Sequence, residues 1–214
     1  VFTVDSVGAN GVLTLSGTTL NASDSFTVQD IIDGNVVYTH DGSETVADSF
    51  DITLSDGTNT LASDTFSITV NPVNDAPVLT NNGGSVQEGN ALTLTTAMLD
   101  GTDPDNTDAQ LVFTVDSVGA NGTLTLSGTT LNASDSFTVQ DIIDGNVVYT
   151  HDGSETVADS FDFTLSDGTA SLASDTFSLT ITPFDDAPVL TNNGGSVDEG
   201  NALTLTTAML DGTD

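Results

Sequence analysis

The chain has 214 residues, with no lysine or arginine against 32 Asp and Glu, a formal net charge of −32. Phosphate recognition rests on Lys and Arg, so DNA, RNA and anionic membrane surfaces are excluded as natural partners. Cysteine is absent, which removes disulfides and thiolate metal sites, and no apolar run approaches the ~20 residues of a membrane span.

Strong acidity accompanies disorder when apolar residues are scarce, but here hydrophobic residues make up 36% of the chain and alternate with polar ones. With no internal cation, clustered carboxylates must stay solvated, take up protons or bind metal ions. At neutral pH a metal is the least costly remedy, and a salt-adapted surface is the alternative. The missing cations also leave trypsin-like proteases without cleavage sites. No signal peptide is visible, and the chain reads as an excerpt, from within a strand at Val1 to within a motif at Asp214.

In chain order, Phe2 and Val4 alternate with polar neighbours, and Gly8-Ala9-Asn10-Gly11 turns the chain into Val12-Leu13-Thr14-Leu15. Asn-Gly tolerates positive φ and marks a hairpin. Asp33-Gly34-Asn35 leads into Val36-Val37-Tyr38-Thr39, and Phe50-Asp51-Ile52-Thr53-Leu54 alternates cleanly. Asp56-Gly57 turns, and Phe66-Ser67-Ile68-Thr69-Val70 closes the unit. Period-2 patterning punctuated by turns predicts an all-β antiparallel sandwich with Greek-key connections. Only Ala91 to Leu99 offers a short helical alternative, although Leu92 and Leu94 alternate there.

The same text then returns. Val1-Phe2-Thr3-Val4-Asp5 reappears as Val112-Phe113-Thr114-Val115-Asp116, and Asn74-Asp75-Ala76-Pro77 as Asp185-Asp186-Ala187-Pro188, both at an offset of 111. A fixed period sets the architecture. Residues 1–73 read as the trailing portion of one repeat, 74–184 as one complete repeat, and 185–214 as the start of the next. Leu92, Leu94, Phe113, Val115, Leu124, Leu126, Phe161, Phe163, Leu165, Phe177, Leu179 and Ile181 are the expected core of the complete repeat. The two end fragments are complementary parts of one sandwich, short only of the stretch Pro104 to Leu111, so one tail could complete the next head.

Asp103-Pro104-Asp105 offers two carboxylates on a proline-stiffened loop, with Asp100 and Asp108 nearby. Such a pair suits a hard cation, and calcium takes 6–8 oxygens at about 2.3–2.6 Å. An EF-hand is excluded, since the required Gly and Glu do not follow. Glycine-rich nonapeptide calcium repeats are absent as well.

The order Val86-Gln87-Glu88-Gly89-Asn90, Thr102-Asp103-Pro104-Asp105, Leu165-Ser166-Asp167-Gly168 and Phe184-Asp185-Asp186-Ala187-Pro188 resembles a cadherin-type repeat. Tyr149-Thr150-His151-Asp152-Gly153-Ser154-Glu155 with Asp159-Ser160-Phe161 is closer to the chondroitin-sulfate-proteoglycan branch, whose repeats fill giant bacterial adhesins secreted by type I systems. The resemblance spans the chain and implies Ca2+ between successive domains. Carried over, Asp103, Asp105 and Asp167 would face the first joint with Asn74 and Asp75. Glu88, with Asp152 or Glu155, would face the second with Asp185 and Asp186. In the first unit, Asp41 and Glu44 would face the Asn74 joint, and Asp56 stands where the complete repeat has Asp167. The sequence departs from the cadherin pattern in its short Asn-Asp-Ala-Pro linker and in lacking the acidic Asp-Arg-Glu.

His40 and His151 each precede Asp-Gly at a strand end, which suits a hydrogen-bonding residue better than a zinc ligand or base. Near-identical repeated carboxylates without tryptophan do not suit a glycosidase. Asn21-Ala22-Ser23 and Asn132-Ala133-Ser134 match the glycosylation pattern, which is short enough to arise by chance. The sequence therefore predicts a non-enzymatic, extracellular, calcium-stiffened spacer of a very large adhesin or surface protein. Its partners would be neighbouring repeats or further copies head to tail, with no nucleic acid and no membrane insertion. The rival reading is a self-assembling fibre or matrix protein, and a glycan- or protein-binding module is a third, without the variable or aromatic loops it needs.

Overall fold

The computed structural model describes residues 1–213; Asp214, the last residue of the third repeat portion, lies outside them. The chain divides into two compact units, Val1–Asp75 and residues 76 onward. The first contains β1 (Phe2–Ser6), β2 (Gly11–Leu15), β3 (Thr18–Thr19), β4 (Ser25–Phe26), α1 (Val28–Ile32), β5 (Val36–His40), β6 (Ala47–Leu54) and β7 (Asp64–Thr69). These form two antiparallel sheets, β4-β1-β6-β7 and β3-β2-β5.

The second unit opens with β8 (Val78–Asn81), β9 (Gly84–Gln87), β10 (Ala91–Thr93) and β11 (Leu99–Thr102). The elements of the first unit then recur as β12 (Val112–Ser117), β13 (Gly122–Leu126), β14 (Thr129–Thr130), β15 (Ser136–Thr138), α2 (Val139–Ile143), β16 (Val147–His151), β17 (Ala158–Ser166) and β18 (Asp175–Thr182). Beyond them, β19 (Val189–Asn192) pairs with β20 (Leu210–Thr213). One sheet of the sandwich is β15-β12-β17-β18-β9, the other β10-β16-β13-β14, and β8 pairs with β11. From β12 to β17 the chain crosses repeatedly between the two sheets, as Greek-key sandwiches do. The all-β expectation holds, with one parallel pair: β9 joins the edge of β18 with Val86 opposite Ile181.

Alternation explains the layers. In β18, Phe177, Leu179 and Ile181 are buried while Thr176, Ser178 and Thr180 face out, because successive strand side chains point to opposite faces. Phe161 lies opposite Phe177 in register, their rings 5.0 Å apart, and Phe113 opposite Phe137 at 5.2 Å. Such cross-strand aromatic pairs stabilise a sheet beyond the area they bury. Val86, Leu94, Leu99 and Leu111 close this core from the leading segment.

The helical expectation for Ala91–Leu99 is corrected: Ala91–Thr93 is strand, a turn follows, and Leu99 begins β11. Thr93 and Leu94 instead hydrogen-bond and pack across to β16, where the backbone of Leu94 donates to Val147 O (3.0 Å). The helices lie at Val28–Ile32 and Val139–Ile143. Each begins with a capping box in which Thr27 or Thr138 exchanges hydrogen bonds with Asp30 or Asp141.

A tyrosine knot repeats in both units. Tyr149 Oη donates to Asp159 Oδ2 (2.7 Å), whose carboxylate also accepts from Ala120 and Asn121 N–H (3.2 Å each). A Cβ at Gly119 would collide with that carboxylate, so the turn needs glycine there. Burial, then the hydrogen bond to Asp48 and its charge, push the Tyr38 phenol up to about 12; the same causes raise Tyr149. Because the folded value lies above the unfolded one, this stabilisation is intact below pH ~10 and is lost as pH rises through the folded pKa. Phenolate absorbance should therefore appear near pH ~10 in urea but only at clearly higher pH in the folded chain. Titration of both tyrosines near their ordinary pKa in the native state would contradict the knot.

Candidate metal centre

Glu88 follows β9, and its backbone N–H continues the parallel ladder by donating to Thr182 O (2.9 Å). The side chain is buried. Oε2 accepts from Phe184 N–H (3.3 Å), whereas Oε1 is buried without a hydrogen-bond partner among the described residues. Carboxylate oxygens of Glu155 and Asp186 lie within 4.8 Å of Glu88 and of one another. Glu155, Phe184, Asp185 and Asp186 line an adjoining hollow of about 310 Å3.

His151 holds the loops that deliver these groups. It is buried, and its Nδ1 accepts from Gly89 N–H (3.3 Å) and Gly153 N–H (3.2 Å). Nε2 is then the donor, to Thr156 Oγ1 at 2.9 Å. Both ring nitrogens are committed, so the imidazole clamps the Glu88 and Glu155 loops rather than offering a ligand.

A second oxygen-lined group follows β11. Asp103 Oδ1 accepts from Asp105 N–H (2.8 Å) and Asn106 N–H (3.1 Å). Asn106 Nδ2 donates to Asp167 O (3.4 Å), which orients the amide. Asp103 Oδ2 and Asn106 Oδ1 are left buried without partners among the described residues. Asp167 is buried beside them, its Oδ1 accepting from Thr169 and Ala170 N–H. Asp105 is exposed. Asn106 escaped the sequence reading, although it stands three residues after Asp103 and completes an Asp-Pro-Asp-Asn run.

In the first unit, Glu44 and Asp75 line one hollow of about 190 Å3, and Asn74 Nδ2 donates to Asp75 O (2.6 Å). Asp41 and Asp152 sit in surface turns, each accepting from the N–H of Ser43 or Ser154 (2.9 Å), outside the close carboxylate group. The Ser43 or Ser154 side chain first, and that residue's backbone N–H second, hold both carboxyls below their usual range. Asp56 accepts from Thr58 and Asn59 N–H (2.7 Å each) and is exposed. Its copy Asp167 is buried in the second unit, where Asn106 lies against it.

Burying a carboxylate oxygen without a partner is costly, and crowding three carboxylates where the chain has no Lys or Arg adds repulsion. A bound cation relieves both. The donors are carboxylate and amide oxygens, which suit calcium; zinc prefers the imidazole and thiolate ligands that neither group supplies.

The sequence profile of the cadherin-like family matches residues 1–70 and 77–181. The chain belongs to the cadherin-like family. Among curated proteins, the human extracellular matrix organizing protein FRAS1 is 40% identical over 149 residues, covering 68% of this chain and 4% of its own length. The human FRAS1-related extracellular matrix protein 2 is 33% identical over 177 residues (78% and 6%). Extracellular matrix protein 3 of the sea urchin Lytechinus variegatus is 33% identical over 171 residues (79% and 5%). This cadherin-like chain thus spans about a twentieth of the relatives it matches. Among solved structures, human mucin-like protocadherin EC1-2 aligns with a TM-score of 0.46 and 14% identity, over 86% of this chain and 84% of that one.

Proposed function

We propose that this cadherin-like chain is a calcium-stiffened spacer within a very large extracellular matrix protein or surface adhesin. The unpartnered, buried Glu88 Oε1 supports this most directly. A group aimed inward at a second and third carboxylate is costly unless a cation completes it. Glu88, Glu155 and Asp186 would hold one ion, with Asp185 at the rim; Asp103, Asn106 and Asp167 supply oxygens for another, with Asp105 beside them.

The location is extracellular, since the relatives are matrix proteins, and no helix among the described residues is long and apolar enough to cross a membrane. The cadherin-like family and these matrix relatives are structural, so the work of the chain is mechanical. Calcium supplies the positive charge that the sequence lacks. Glu88 ties the end of β9 to the Phe184 backbone, and Asp186 adds a carboxylate from the start of the next repeat. Neutralising this group fixes the segment leaving β18. Near-identity of the repeats suits a part whose contribution is length. Thermal unfolding in calcium and in chelator tests the proposal: the second unit should melt higher with calcium, and identical melting would remove it.

A further inference from the structure

Carboxylates on separate loops repel one another, so Glu88 and Glu155 must be held together before any ion arrives. Glu88 directly precedes Gly89, and Glu155 follows Gly153 by two residues. Both glycines take the left-handed conformation, at φ of 68° and 83°, which glycine adopts without steric cost. Their N–H groups converge on one atom, Nδ1 of His151 (3.3 and 3.2 Å). Only a ring nitrogen without a proton accepts both, and the Thr156 hydroxyl, 2.9 Å from Nε2, keeps the ring proton there. The imidazole is fully buried, and the His151 backbone N–H adds a third tie, to Asn90 O (3.0 Å). The half of this device that lies within one loop recurs in the first unit. Gly42 N–H donates to His40 Nδ1 (3.2 Å), Nε2 meets Thr45 Oγ1 at 2.8 Å, and Glu44 follows Gly42 by two residues. In a chain without Lys or Arg, a ring in this tautomer binds the loops through their backbones and adds no charge to compete with a cation.

We propose that His151 is the positioning residue of the Glu88 group: its Nε2–H tautomer, fixed by Thr156, sets the spacing of Glu88 and Glu155 and thereby the affinity for calcium. This role rests on the calcium reading above and adds the residue that tunes it. Without the clamp, calcium binding would itself have to order the two loops against their mutual repulsion, and that ordering is subtracted from the affinity. Residues that orient metal ligands without touching the metal change affinity about 10–100-fold when replaced. His151 stands in that relation to both glutamates, since it holds the backbone next to each and offers neither nitrogen to the ion.

The test is a calcium titration of the full 15N-labelled chain, followed by NMR on the Gly89 and Gly153 amides, which report this group alone and are present in every variant. His151→Phe, which keeps a ring but loses the acceptor, should raise the local dissociation constant about 10–100-fold. His151→Asn, whose Oδ1 replaces Nδ1 as acceptor, should restore most of the affinity. Thr156→Val leaves the ring in place but frees its proton to move to Nδ1, so it should weaken binding in the same direction and keeps the test open if His151→Phe does not fold. The ring-nitrogen shifts of His151 should show the Nε2–H tautomer in the unsubstituted chain and a mixture in Thr156→Val. Unchanged affinity in His151→Phe or in Thr156→Val, an asparagine variant as weak as the phenylalanine one, or an Nδ1–H tautomer in the unsubstituted chain would each overturn the positioning role while leaving the calcium reading intact. Amides of the unsubstituted chain that ignore calcium would instead remove that reading, and the role with it.

Discussion

Replacing Phe177 by alanine is expected to destabilise the second unit by about 3–5 kcal/mol, the range for a fully buried phenylalanine. Phe66→Ala, at the same place in the first unit, should cost less than about 1 kcal/mol in dilute solution, as surface positions do. The two residues share their neighbours in sequence and their cross-strand partner, Phe50 for Phe66 and Phe161 for Phe177, with ring separations of 5.0 Å in both units. What differs is cover. Phe177 loses every exposed surface under the leading segment, while Phe66 remains 53% exposed. Urea unfolding of the two variants, followed by a probe in each unit, measures the difference. Equal losses would mean that the leading segment does not build the core of the complete repeat.

Glu88→Gln carries the second large expectation, and its sign depends on the metal. In chelator the glutamine keeps an oxygen to accept from Phe184 N–H and removes one of three crowded carboxylates. The variant should melt at or above the unsubstituted chain. With calcium at about a hundred times its dissociation constant, binding to the folded state alone stabilises by about 2.7 kcal/mol. For a unit of this size that raises the melting point by roughly 5–15 °C, and most of the rise should vanish in Glu88→Gln. The two melting curves therefore exchange order between chelator and calcium. Parallel shifts of both proteins would place calcium elsewhere.

The strands were legible because alternation of Phe, Val and Leu with Ser, Thr and Asp is a local signal. The β9–β18 pair was not, since its partners, such as Val86 and Ile181, lie far apart in sequence and on strands of different patterning. The two helices carried a readable Thr-Val-Gln-Asp capping box, but five residues are too few to show a helical period. Over Ala91–Leu99, apolar residues at mixed spacing suggested a helix where edge pairing to β16 prevails. At the candidate metal centre, the resemblance to a cadherin-type repeat implied Glu88, Asp103, Asp167 and Asp186. The choice between Asp152 and Glu155 was open in the sequence; the structure brings Glu155 to Glu88 and leaves Asp152 in its Ser154 turn. The contrast between exposed Asp56 and buried Asp167 has no local cause at all, because it is set by what packs over two nearly identical segments.

Small-angle scattering of the full 214-residue chain, dilute, in calcium and then in excess chelator, tests most directly whether ions stiffen the chain of repeats. A longer, rigid particle is expected in calcium and a shorter, flexible one after chelation, reversed by restoring the metal. A scattering profile indifferent to calcium would contradict it and leave a solvated acidic spacer.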